Sequence, residues 1–279
     1  MSGPEITFAE IDNDYSHTYI KEALRKEGGI VIRTAIAPQR CDFYRQLIDK
    51  TYDYLIEQCA KEGHPVDETT EADKNDQAWQ GLAYNLQNGQ LPPGFFEKAN
   101  LGFSIFDLIG NFRFHRIMSK FFDGDFRSSP SAHVRRISPS SEQQREQWQG
   151  PTPWHIDGQY HNPRHFGLNF WVPLNTCGIE APGLRIIRAN VFDMQRYVEY
   201  DPVEETFNAG RLKTINETVF DDFEEGQIFA PELKVGDVFL FHNWTIHQTN
   251  CQDGMTKPRK SCELRVIQDA WTFPEGGSC

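Results

Sequence analysis

The stretch Gly236-Asp237-Val238-Phe239-Leu240-Phe241-His242-Asn243-Trp244-Thr245-Ile246-His247 opens on a turn pair and runs into five residues that are mostly apolar. By composition it reads as a buried strand, and His247 lies just beyond its apolar part. Outward from it, the chain after Ser131 shows further short β-rich runs between turn signals, at 132–137, 166–173, 183–187 and 262–268. Such spacing predicts an antiparallel sandwich or barrel. The first third reads as mainly helical. An amphipathic stretch over 19–26 stops at Gly28-Gly29, a strand follows over 29–32, and helices are expected over 38–62 and 105–122. Phe43, Leu47, Ile48, Tyr52, Leu55 and Ile56 stand near helical spacing in the second of these helices. The segments 62–76 and 143–150 read as polar loops. An acidic insertion over 193–225 reads as solvated surface, with a lid as the sharper alternative. No linker divides the chain, so 1–279 is expected to be one domain, its helical third packed on a β-rich core from about residue 131.

The bulk numbers bound the function. The chain has 279 residues, 21 of them Phe and 6 Trp, enough for a sizeable core. A net charge of -12 disfavours a nucleic-acid partner, because an acidic surface repels phosphate. Six cysteines, at 41, 59, 177, 251, 262 and 279, form no CxxC pair and read as free thiols. No apolar run approaches the ~20 residues that span a bilayer, and the first ten residues lack a signal pattern. The expectation is a cytoplasmic protein with a small-molecule substrate and neither nucleic-acid nor membrane partners.

The chemistry concentrates at Trp154-His155-Ile156-Asp157-Gly158. On a strand, residues i and i+2 share a face, so His155 and Asp157 would project together. A third ligand can come from His247 or from His242. A histidine inside an apolar strand is more often a satisfied core residue, which favours His247. Two histidines and one carboxylate on one face of a metal leave positions for a bidentate 2-oxo acid and O2, as in non-haem Fe(II) oxygenases. The same set on zinc would be hydrolytic, and a bare His-Asp surface pair is the blandest reading. A 2-oxo diacid also needs a fixed cation for its far carboxylate. Arg259 is the first choice and Arg265 the second, with membership of a structural ion pair as the alternative reading of Arg265. Both share a strand face with Ser261 by their even spacing. Asn169 and Gln159 are weaker pocket candidates, and His161 and His165 read as rim residues.

These residues in this order resemble the phytanoyl-CoA dioxygenase family of Fe(II)/2-oxoglutarate oxygenases. The resemblance is carried by His155-Ile156-Asp157, Asn169-Phe170-Trp171-Val172-Pro173-Leu174, Ala181-Pro182-Gly183-Leu184, Val235-Gly236-Asp237-Val238, His247 and Arg259-Lys260-Ser261. The early run ending in Gly28-Gly29-Ile30-Val31-Ile32 matches the usual start of the family. The chain departs from the pattern at Ile187-Arg188-Ala189-Asn190, where the family has a Pro-Gly-Ser-His turn. The resemblance implies a double-stranded β-helix (jelly-roll, cupin-like) core with flanking helices. It implies Fe(II) on His155, Asp157 and His247, and 2-oxoglutarate at Arg259 with Ser261 assisting and Trp171 nearby. It implies a dioxygenase that consumes O2, releases succinate and CO2 and most simply hydroxylates a C–H bond. Asp157 argues against the halogenating variant, which has a small residue there. The expected substrate is a small natural product or amino-acid-like molecule of secondary metabolism. A zinc hydrolase and a non-catalytic module on the same fold are the alternatives.

Overall fold

The computed structural model describes residues 3–61, 108–128, 133–137, 139, 152, 154–159, 166–194 and 223–268. The expected loops at 62–76 and 143–150, most of the acidic insertion, and His161 and His165 lie outside these residues. Helix α1 (Asp14–Lys26) begins five residues before the expected start, because Asn13 caps it. The Asn13 side chain accepts a hydrogen bond from the Ser16 N–H at 2.8 Å. Its buried face includes Ser16 and His17, two polar residues that hide its first turn from a pattern search. Helix α2 (Pro38–Lys61) follows the expected range, but Cys41 and Tyr44 are buried on it while Phe43 is exposed. Helix α3 (Phe112–Phe122) is shorter than the expected 105–122. Asn111 caps it by accepting from the Arg113 N–H at 2.9 Å, and Leu108 to Gly110 stay outside it.

The described residues form ten strands, numbered in chain order: β1 (Glu5–Thr7), β2 (Gly29–Arg33), β3 (Phe126–Ser128), β4 (His133–Ile137), β5 (Gly167–Pro173), β6 (Gly183–Ile187), β7 (Ile228–Phe229), β8 (Val238–His242), β9 (His247–Asn250) and β10 (Arg259–Gln268). Strand β10 starts three residues before the expected 262. Its pairing with β4 begins at Arg259 itself, opposite Ile137. The larger sheet runs β1-β2-β8-β5-β10-β3, with β4 also on β10, and the smaller runs β7-β6-β9. Every pairing is antiparallel except β1 on β2. Together they make the double-stranded β-helix.

Strand alternation sorts the side chains. On β5, β8 and β10 the even-numbered Leu168, Phe170, Val172, Val238, Leu240, Cys262, Leu264 and Val266 join Ile20 and Leu24 of α1 and Phe114 and Ile117 of α3 in one core. The odd-numbered Trp171, Phe239 and Phe241 turn the other way, onto Leu184 and Ile186 of the smaller sheet. The cleft lies on this second side. The turn before β8 is locked by Gly236 and Asp237. Gly236 has φ +94, and a Cβ there would meet the Ile36 carbonyl oxygen at 2.5 Å. The Asp237 carboxylate accepts from the Thr34 and Lys234 N–H groups, each at 3.0 Å, and from Arg33 Nη1 at 2.7 Å. This ties the end of β2 to the start of β8.

His242, at the end of β8, is a core residue. Its Nδ1 accepts from the Trp244 N–H at 3.0 Å, and its ring packs against Phe121 and Phe166. Burial, with Arg25 adding to it, pushes its pKa down to about 3, so the folded chain holds it neutral. The unfolded chain protonates it near pH 6.5. Its contribution is therefore intact above that pH and is lost as the pH falls towards 3. Unfolding midpoints measured between pH 7 and 4 should fall less steeply in His242→Asn, which keeps an acceptor for Trp244. The expected difference is up to about 1.4 kcal/mol per pH unit. Identical slopes would refute this account.

Candidate functional site

The site begins with backbone pairing. The His155 N–H donates to the His247 carbonyl and the His247 N–H to that of His155, both at 2.9 Å. The Thr249 N–H donates to the Thr152 carbonyl at 3.0 Å, so Thr152 also pairs with β9. The expected strand through His155 and Asp157 does not continue, however. His155 forms an isolated bridge, and Asp157 opens a 3-10 turn, Asp157–Gln159. Two contacts impose the turn. Ile156 is buried beside Trp244 and Ile246, and the Gly158 N–H donates to the Asn243 carbonyl at 2.8 Å.

The turn still brings the three side chains together. His155 Nε2 lies 3.6 Å from Asp157 Oδ1, and His247 Nε2 lies 3.8 Å from Asp157 Oδ2. One ligand atom from each of the three falls within 4.8 Å of the others, and all three residues are buried. The outer nitrogen of His247, Nδ1, sits 2.8 Å from the Thr245 carbonyl. A carbonyl only accepts, so Nδ1 carries the proton and Nε2 offers its lone pair towards Asp157. Burial first, and then His155, pushes the His247 pKa down to about 3, so the ring is neutral at pH 7. Burial would raise Asp157, but the Arg265 guanidinium overrides it and holds the carboxyl well below its usual range. The neutral His247 ring, the His155 imidazole and an ionised carboxylate make a donor set that suits Fe(II). His242 does not enter it.

Both candidate arginines line the cleft, at different places. Arg259 is 1% exposed and stacks on Trp171, 5.3 Å from the ring centroid. Its Nη1 donates to the Gly183 carbonyl at 3.2 Å. Arg265 grips Asp157: Nε donates to Oδ2 at 3.2 Å, and Nη2 reaches Oδ1 and Oδ2 at 3.1 Å. Trp171 and Phe170 face opposite ways, as alternation requires, with Trp171 on the cleft. Ser261 is fully buried, and its hydroxyl has no hydrogen-bond partner among the described residues; nor have Trp171 Nε1 and both amide atoms of Asn169. The Gln159 side chain lies outside the described residues. The cleft also takes in Arg135, Thr152, Thr249 and Glu263, which the sequence reading did not single out. Thr249 follows His247 by two on a strand, and Glu263 shares the face of Arg259. Their signal was the strand parity. Arg135 carried none.

A family model described as phytanoyl-CoA dioxygenase (PhyH) matches residues 24–252. No curated protein matches the chain. Among solved structures, EvdO2 from Micromonospora carbonacea var. aurantiaca, complexed with 2-oxoglutarate, superposes with a TM-score of 0.53 at 17% identity, over 95% of this chain and 96% of that one. The non-haem alpha-ketoglutarate-dependent carbocyclase SnoK from nogalamycin biosynthesis gives 0.53 at 15% identity, over 99% and 90%. AviO1 from Streptomyces viridochromogenes Tue57 gives 0.52 at 15% identity, over 94% and 99%. At these identities the likeness is one of fold.

Arg265→Met would leave the buried Asp157 carboxylate without its guanidinium. The metal-free variant should lose about 3–5 kcal/mol of stability at pH 7, read as a lower urea midpoint. A midpoint equal to that of the wild type would show that the pair contributes nothing to the metal-free fold.

Proposed function

The chain belongs to the phytanoyl-CoA dioxygenase family and is an Fe(II)- and 2-oxoglutarate-dependent dioxygenase, and we propose that it hydroxylates a C–H bond of a small organic substrate, with iron held by His155, Asp157 and His247. The observation that carries this reading is the buried cluster whose three ligand atoms lie within 4.8 Å of one another. Bound there, iron would supply O2 activation coupled to oxidative decarboxylation of the 2-oxo acid to succinate and CO2. The protein supplies ligands, orientation and shielding. Thr245 fixes the tautomer of His247, and Arg265 fixes the plane of the Asp157 carboxylate. Arg259 is the partner for the distal carboxylate of 2-oxoglutarate. It is buried, permanently charged and pre-oriented by Trp171, and it does not engage a proposed metal ligand. Ser261, two residues on and on the same strand face, would add a hydroxyl donor. Trp171, Leu184 and Phe241 give the cleft apolar walls that exclude water.

Hydroxylation asks least of the protein, because no second group need accept or deliver a proton. Relatives in fold that come from nogalamycin biosynthesis, among them a carbocyclase and an epimerase, support a substrate of the natural-product kind. A zinc hydrolase on this fold would have no use for Arg259. No helix among the described residues is long and apolar enough to cross a membrane. The whole chain forms one domain in this reading, supported by the core that α1 and α3 share with β5, β8 and β10. One cooperative urea transition is then expected, and two separated transitions would break that part of the reading.

The direct test is optical. Protein prepared without oxygen, given Fe(II) and then 2-oxoglutarate, should develop a weak band near ~500 nm as the oxo acid chelates the iron. The band should vanish in His155→Ala. Arg259→Ala should raise the KM for 2-oxoglutarate about tenfold or more, by loss of a charge-assisted pair. Tight zinc binding without any band, or full activity in Arg259→Ala, would overturn the assignment.

A further inference from the structure

We propose that Thr245 is a positioning residue for His247, held in place by the bond from its hydroxyl to the Gly28 carbonyl, so that the joint between α1 and β2 acts on the metal centre from outside the cleft. The inference rests on the reading of His247 as a metal ligand and extends it to what holds that ligand's hydrogen-bond acceptor. The decisive peptide unit joins the Thr245 carbonyl to the Ile246 N–H. Its carbonyl accepts the His247 Nδ1 proton at 2.8 Å. Its N–H donates to the Met194 sulfur at 3.3 Å, and a thioether is a weak acceptor. The unit lies between β8 and β9, outside both strands. The peptide units on either side are held by backbone bonds. The Thr245 N–H donates to the His242 carbonyl at 2.9 Å, and the Ile246 carbonyl accepts from the Ile187 N–H at 3.0 Å. The plane that carries the acceptor of His247 is therefore held more weakly than its neighbours.

The side chain of Thr245 supplies the restraint. Thr245 is fully buried, and its hydroxyl donates to the Gly28 carbonyl at 2.6 Å, across 217 positions of sequence. The same carbonyl accepts from the His242 N–H at 3.0 Å. One carbonyl thus holds both ends of the β8–β9 connection, and both its lone pairs are used. Branching at Cβ leaves threonine few rotamers. A hydroxyl fixed on Gly28 therefore fixes the backbone of residue 245 and the direction of its carbonyl.

Position 28 admits this approach because it is glycine. Gly28 has φ +80, and a Cβ there would meet Thr245 Cγ2 at 2.9 Å and Oγ1 at 3.0 Å. A helix stop after α1 accounts for the positive φ, but asparagine also serves as a helix stop. The contact with Thr245 has no room for it. The Gly28-Gly29 pair that ends α1 thereby gains a second role. If the Thr245 carbonyl turned away, His247 Nδ1 would lose its acceptor. The ring could then carry its proton on Nε2, the nitrogen that faces Asp157, and a protonated nitrogen cannot bind a metal.

Co(II) titration of the metal-free chain, with NMR of the histidine ring nitrogens, tests this without turnover. Thr245→Val keeps the shape and removes the donor, and Thr245→Ser keeps the donor. Thr245→Val should bind Co(II) about tenfold or more weakly, with the His247 proton shared between Nδ1 and Nε2. Thr245→Ser should stay near wild type in both respects. Thr245→Ala takes the place of Thr245→Val if that variant does not fold. Wild-type Co(II) affinity in Thr245→Val overturns the inference, however far its urea midpoint falls, because a merely structural bond would lower stability alone. A loss of affinity that Thr245→Ser shares, or one without change at the His247 nitrogens, overturns it too. Failure of the wild type to take up Co(II), or uptake undiminished in His247→Ala, would instead overturn the metal-ligand reading beneath it.

Discussion

The two backbone hydrogen bonds between His155 and His247 join segments that lie far apart in the chain, and the cleft is organised around them. A side chain on a flexible arm would lose much of its binding energy to ordering. Here the main chain has already been fixed by the sheet, so the imidazole rings arrive with centroids 4.1 Å apart. Asp157 is then delivered by a turn rather than by a strand. The turn is held from below by Ile156 in its apolar cluster and from the side by the Gly158 bond to Asn243. Each proposed ligand thus depends on contacts that hold no metal.

The second constraint is parity. A sheet with helices on one side and a second sheet on the other must divide each strand by odd and even positions, and a slip of one residue would exchange the faces. In β5 this sends Leu168, Phe170 and Val172 to the helices and Asn169 and Trp171 to the cleft. In β10 it sends Cys262, Leu264 and Val266 to the helices while Arg259, Glu263 and Arg265 line the cleft. Charged residues inside a strand packed on both faces are tolerable only because they are gathered on one side and paired there.

Parity also explains what could be read from the sequence. The β runs, the strand ending before His247 and the even spacing of Arg259, Ser261 and Arg265 are short-range patterns, and they survive folding. The first turn of α1 was hidden because Ser16 and His17 occupy buried positions that a hydrophobic pattern leaves blank. The 3-10 turn at Asp157 was hidden because its cause, the packing of Ile156 on Trp244 and Ile246, is long-range. An ion pair at Arg265 could be read from the sequence, but its partner, Asp157, was equally out of reach. Residues 265 and 157 carry no mutual pattern, and only the closure of the two sheets brings them within 3.1 Å.

That pairing bears on how the site can exist before it is filled. A lone buried carboxylate beside two imidazole rings would be an unstable arrangement, since a desolvated charge without a partner costs several kcal/mol. The guanidinium of Arg265 meets both carboxylate oxygens and removes that penalty. It does so from the β10 side, while His155 and His247 approach from the smaller sheet. The carboxylate is therefore held ionised and in a fixed plane between a permanent cation on one side and the two histidines on the other. A metal ion bound by those histidines would meet a ligand already deprotonated and already oriented.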